Sequence, residues 1–186
     1  GPGPRSPQVL AEFSAEGELL RKWELPDGLA GTLVFVNGLR GVIKGGEDPL
    51  LLRWGSGVAV NPSAVAVSPV SGEGITLVET LPTTYGLNLA LVELGKGEWG
   101  IAAGPGPLRG YPPWIKVFSA ARDWKTVSDI APWDDPGSCG VNLAAVDIDG
   151  DGTDELVAGE GWGPDRPATV RILTLKGGIL QTWNAF

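Results

Sequence analysis

Diverged copies of one β-hairpin recur along the chain, and that repetition limits the architectures open to it more than any single motif does. Gly140-Val141-Asn142-Leu143-Ala144-Ala145-Val146 aligns with Gly86-Leu87-Asn88-Leu89-Ala90-Leu91-Val92. Each copy runs through a glycine-containing loop into a second apolar run, Leu156 to Gly159 and Ile101 to Gly104. Two older copies are Gly31-Thr32-Leu33-Val34-Phe35-Val36 with Val42-Ile43-Lys44-Gly45, and Ala64-Val65-Ala66-Val67 with Ile75-Thr76-Leu77-Val78. Apolar runs this short, bounded by glycine, are strand signals.

Gly/Pro links join these inner hairpins to more amphipathic outer ones. Gly1-Pro2-Gly3-Pro4 ahead of Val9 to Phe13 repeats Gly104-Pro105-Gly106-Pro107 ahead of Trp114 to Phe118, and the segment Gly17 to Trp23 repeats Gly177 to Trp183. Two inner and two outer strands make a four-stranded antiparallel sheet of roughly 45 to 55 residues, the size of a β-propeller blade. The expected fold class is therefore all-β, a propeller-type array of about four blade equivalents. Within a single domain, 1–186, the expected units are an outer hairpin at 1–30, a blade at 31–62, a degenerate blade at 63–85, a blade at 86–139 and a blade with an acidic loop at 140–186. An outer hairpin at the start suits a ring-closing overlap that hides a sheet edge. The last copy, however, stops at Trp183-Asn184-Ala185-Phe186 where its counterpart continues through Ile130 to Asp134. The expectation is an incomplete ring, cut from or completed by something larger.

At 186 residues the chain can bury a core. Its 29 Gly and 16 Pro accompany 42% hydrophobic residues, which assigns them to turns between strands rather than to disorder. A net charge of −8 disfavours nucleic acid and anionic membranes as partners. No run approaches the roughly 20 apolar residues of a spanning helix, so no membrane insertion is expected. The lone cysteine, Cys139, cannot form an internal disulfide, and in a chain without histidine it is expected to be a turn residue. With neither an initial Met nor a signal peptide, the sequence reads as a mature product or an excised fragment, Gly1-Pro2 resembling a cleavage scar.

Chemistry concentrates in Asp147-Ile148-Asp149-Gly150-Asp151-Gly152-Thr153-Asp154-Glu155. Acids at alternate positions, with glycines between and after them, let a tight loop turn three carboxylates onto one point. Like charges so close repel unless a cation sits among them, and a hard ion with six to eight oxygen ligands in a flexible carboxylate loop points to Ca²⁺. The opening fits an EF-hand as far as Gly152. That loop, however, needs a bidentate Glu at its twelfth position and helical flanks, and here the twelfth residue is Ala158 and both flanks read as strands. Glu155 is the natural closing carboxylate, with the Thr153 backbone carbonyl as a further ligand. The competing reading is a solvated acidic hairpin.

This motif, continued by Leu156-Val157 and Gly159 and preceded by Asp135-Pro136-Gly137-Ser138-Cys139-Gly140-Val141, resembles the FG-GAP (VCBS-like) repeats of integrin-α-type β-propellers. The junction Ala103 to Pro107 with Ile115-Lys116-Val117-Phe118-Ser119 is similar to blades of the same family in bacterial surface and secreted proteins. The resemblance implies one structural calcium on the loop between the first two strands of a blade, with Asp147, Asp149, Asp151, the Thr153 carbonyl and Glu155 as ligands. The other copies depart from the pattern: Glu93-Leu94-Gly95-Lys96-Gly97-Glu98 keeps one acid at the first position, and Asn37 to Gly41 and Ser68 to Gly72 keep almost nothing.

Without histidine, Ser-His and Cys-His catalysis are excluded. Asp134 with Asp135, or Glu160 with Asp165, offer carboxylate pairs for a hydrolase, and a metal loop offers a Lewis acid for a lyase, but no general base stands out. No catalysis is expected. The expected role is a calcium-stabilised adhesion, protein-interaction or self-assembly module located at the cell surface, outside the cell or in the periplasm, since such loops need abundant calcium. The alternative is a lectin-like propeller that stacks exposed indoles on sugars, with Trp114, Trp133 and Trp162 in Gly/Pro-rich connections as candidates. Trp23 and Trp183, which recur at equivalent outer-strand positions, are expected to pack between blades.

Overall fold

The computed structural model describes residues 9–24, 34–38, 50–53, 64–67, 74–78, 87–106, 110–134, 140–161 and 168–185. Strands dominate, and no α-helix occurs among the described residues. They are β1 (Val9–Phe13), β2 (Leu19–Glu24), β3 (Val34–Gly38), β4 (Leu50–Arg53), β5 (Ala64–Val67), β6 (Gly74–Val78), β7 (Leu87–Glu93), β8 (Trp99–Pro105), β9 (Ile115–Ser119), β10 (Lys125–Ile130), β11 (Val141–Val146), β12 (Glu155–Glu160), β13 (Thr169–Leu173) and β14 (Ile179–Asn184). No described helix is long and apolar enough to cross a membrane.

The strands form antiparallel meanders in chain order: β3 to β6, β7 to β10 and β11 to β14 as four-stranded sheets, with β1 and β2 as a two-stranded one. The all-β expectation and the four-stranded antiparallel unit are therefore borne out. One pairing differs from the sequence reading. β3 pairs with β4, and β4 with β5, which the sequence reading did not foresee; the expected partner of Val34-Phe35-Val36, Val42-Ile43-Lys44, falls outside the described residues. The segments assigned to a blade at 31–62 and a degenerate blade at 63–85 thus share one sheet. The run Leu50-Leu51-Leu52 suits a buried strand, and a meander satisfies both backbone edges of β4 and β5.

Packing is best defined between the last two sheets. Ala90, Val92, Ile115 and Val117 on one side meet Val141, Leu156 and Leu173 on the other in a continuous core. Both faces of β7 to β9 are buried, because Leu87, Leu89, Ile101 and Phe118 on the opposite face are also covered, on the side from which β3 and β4 approach β7. The sheet of β11 to β14 is asymmetric. Its inward face is buried, whereas Asn142, Ala144 and Val146 alternate outward in β11 and every residue of β14 is exposed. Val92 is 0% exposed and Val146, at the matching place one repeat later, is 45% exposed.

Glycine is sterically required where sheets approach. A methyl group on Gly104 would lie 2.2 Å from Val141 Cγ1, so β8 and β11 come together only because that side chain is absent.

Candidate metal centre

The acidic loop spans the gap between β11 and β12, whose last pair, Val146 with Glu155, closes the ladder beneath it. Gly150 and Gly152 take φ of +78° and +82°, and around both there is open space for a side chain. Backbone conformation alone therefore calls for glycine there.

The turn brings each aspartate back onto the backbone that follows it. Asp147 Oδ1 accepts the N–H groups of Gly150 at 2.8 Å and Asp151 at 3.2 Å, and its Oδ2 accepts that of Gly152 at 3.0 Å. Asp149 Oδ1 accepts the Asp151 N–H at 3.1 Å, and Asp151 Oδ1 accepts the Thr153 N–H at 2.7 Å. These bonds hold the three carboxylates in place against the turn. One oxygen from each of Asp147, Asp149 and Asp151 lies within 4.8 Å of the others, a group that could hold a metal. Two oxygens on opposite sides of a Ca²⁺ ion, each about 2.3 to 2.6 Å away, are separated by about the same distance, so the donor set and its spread fit a hard cation.

Glu155 lies beneath the loop rather than in that trio. It is 7% exposed, and its Oε2 accepts the Ile148 N–H at 3.0 Å. Thr153 is half-buried and forms an isolated bridge to Leu94 of the neighbouring sheet. That bridge belongs to a contact the sequence reading missed. Asp154 N–H donates to the Glu93 carbonyl at 2.9 Å, and Asp154 Oδ2 accepts the Glu93 N–H at 2.7 Å. The loop is thereby fastened to the turn between β7 and β8. Spacing offers no signal for it, because Asp154 falls off the alternating acidic positions and its partner is backbone.

Asp154→Ala leaves the Glu93 N–H without its acceptor, at a cost of about 1 to 3 kcal/mol for a partly buried donor. Urea unfolding should register that loss, while calcium affinity falls far less than in Asp149→Ala. An unchanged unfolding midpoint would show that the contact does not hold the sheets.

The other candidates fare differently. Trp133, expected in an exposed binding face, is 8% exposed, and its indole N–H donates to Thr169 Oγ1 at 2.9 Å. The reason is local: Arg171 lies over its ring at 5.2 Å and donates to the Pro132 carbonyl, so the loop after β10 folds inward. Thr169 in turn donates to Glu160 Oε2 at 2.9 Å, which makes Glu160 part of this packed cluster. Trp114 is half-buried and Asp134 exposed. Trp183, expected to pack between blades, is 39% exposed, since β14 is the outer edge of a sheet with an open face. Asp135, Cys139, Trp162 and Asp165 lie outside the described residues, as does the side chain of Trp23.

When the chain is compared with known proteins, no family model matches it, and no curated protein or solved structure does either.

Proposed function

We propose that this chain is a non-catalytic, calcium-stabilised interaction module built from FG-GAP/VCBS-like propeller blades, working outside the cytoplasm and binding another protein or further copies of itself. The observation that carries the reading is the loop 147–154, which gathers three carboxylates at one point and is hydrogen-bonded to the turn of the next sheet. In this reading Asp147, Asp149, Asp151, the Thr153 carbonyl and Glu155 hold one Ca²⁺, which supplies charge neutralisation and ties the loop together. An ion bound there stabilises two sheets rather than one hairpin, because binding free energy for the folded form is folding free energy.

The interaction role is supported by the open face of the last sheet. On that face Val146 at 45% and Trp183 at 39% exposure leave apolar surface in water. Burial of Trp133 removes one of the indoles on which a lectin-like reading depended. Extracytoplasmic location follows from the affinity range of such loops, which fill at the calcium levels found outside cells.

Isothermal titration of the metal-free chain with CaCl₂ should reveal one site, and sedimentation at several protein concentrations should show association. Absence of a binding isotherm up to millimolar calcium would remove the metal reading. A concentration-independent monomer mass would remove self-association.

A further inference from the structure

The hairpin of β1 and β2 repeats the hairpin of β13 and β14 in register. Phe13 pairs with Leu19 as Leu173 pairs with Ile179, a bulge follows in both, and Leu10 then pairs with Trp23 as Val170 pairs with Trp183. The turns agree as well. Ser14 N–H donates to the Glu18 carbonyl at 2.8 Å and Thr174 N–H to the Gly178 carbonyl at 2.8 Å, with Gly17 and Gly177 at φ of +89° and +87°. The side-chain oxygens Ser14 Oγ and Thr174 Oγ1 accept the N–H groups of Glu18 and Gly178.

Their surroundings differ. β13 has β12 along its other edge, where Leu156 pairs with Leu173, and Leu173 is 0% exposed. β9 has β8 in the same place, where Ile101 pairs with Phe118, and Phe118 is 5% exposed. Among the described residues β1 pairs with β2 alone, and Phe13, the counterpart of Leu173 and Phe118, is 59% exposed.

We propose that the second edge of β1 is an acceptor for a two-stranded antiparallel β-hairpin that carries an aliphatic residue opposite Phe13 and completes a four-stranded sheet. A strand edge takes a strand, because only another extended backbone satisfies its row of N–H and C=O groups. In the sheets of β7 to β10 and β11 to β14 the covering strand is the second of a hairpin and brings an aliphatic residue, Ile101 or Leu156, to this position. An intact second copy of this chain cannot supply it through those strands, since the corresponding edges of β8 and β12 are already held by β9 and β13. This deepens the interaction reading, yet it rests on strand pairing and not on the cation, so calcium titration and the experiment below fail independently.

The test joins a copy of residues 87–105, the hairpin of β7 and β8, directly ahead of Gly1. That fusion leaves as many residues between the copied Ile101 and Phe13 as separate Ile101 from Phe118, or Leu156 from Leu173. Hydrogen exchange of the amides of residues 10–13 is compared in the fused and parent chains, with the amides of β12 reporting that the rest is folded. The expected result is exchange slowed by at least about tenfold in β1, restored to the parent rate by Phe13→Asp in the fused chain. A second fusion, carrying a copy of residues 141–160, preserves the same spacing and serves if the first disturbs β12. Parent-like exchange in β1 in both fusions overturns the proposal.

Discussion

Asp149→Ala is expected to lower the melting temperature in calcium-containing buffer and to abolish the further drop that EDTA should produce in the parent chain. Asp149 lies between the other two aspartates in the loop, and its Oδ1 also accepts the Asp151 N–H, so the substitution removes one of the proposed ligands and loosens the turn. At a calcium concentration about 100-fold above Kd, binding contributes about 2.7 kcal/mol to the folded form. For a chain of this size about 1 kcal/mol corresponds to roughly 2 to 4 °C, so EDTA should lower the parent melting temperature by roughly 5 to 10 °C. In Asp149→Ala the difference between calcium and EDTA should shrink towards zero. Equal EDTA sensitivity in the two proteins, measured by scanning calorimetry, would sink the metal assignment and with it the idea that the loop stabilises two sheets.

Gly140→Ala should be the most damaging of the small substitutions. Gly140 precedes β11 with φ of +73°, its N–H donates to the Tyr111 carbonyl at 3.1 Å, and its carbonyl accepts the Gly161 N–H at 2.9 Å. An added methyl group would sit 2.2 Å from the Gly106 carbonyl oxygen and 2.5 Å from that of Pro105. Those neighbours are backbone of the adjoining sheet and cannot rotate away, so the two sheets must separate. Left-handed strain of about 1 to 2 kcal/mol adds to an overpacking cost of about 1 to 3 kcal/mol, together roughly 2 to 5 kcal/mol. Gly110→Ala is the matched control. It has φ of +90° with nothing within 4 Å, and should lose only the strain part. Urea unfolding of both variants separates the two effects, and equal losses would show that the close approach at Gly140 carries no weight.

The element types were legible because their signals are local. Gly140 to Val146 and Leu156 to Gly159 alternate or run apolar over a few residues between glycines, which suits a strand and little else. The same holds for the trio of aspartates, since alternate spacing and intervening glycines are enough to turn three side chains together. The copy relation between the segments Gly17 to Trp23 and Gly177 to Trp183 was also visible as sequence, and it reappears as the same bulged hairpin register.

What the chain alone determined, then, was the kind of element, its repetition and the place where charge gathers, all consequences of neighbours a few positions apart. The tertiary structure alone decided that β3 takes β4 as its partner, that Trp133 turns inward beneath Arg171, and that Asp154 fastens its loop to the turn beside Glu93. Each of these joins groups distant in sequence, through backbone atoms or aromatic faces that most residue types can offer. Contacts of that kind are selected by packing and leave little trace in spacing.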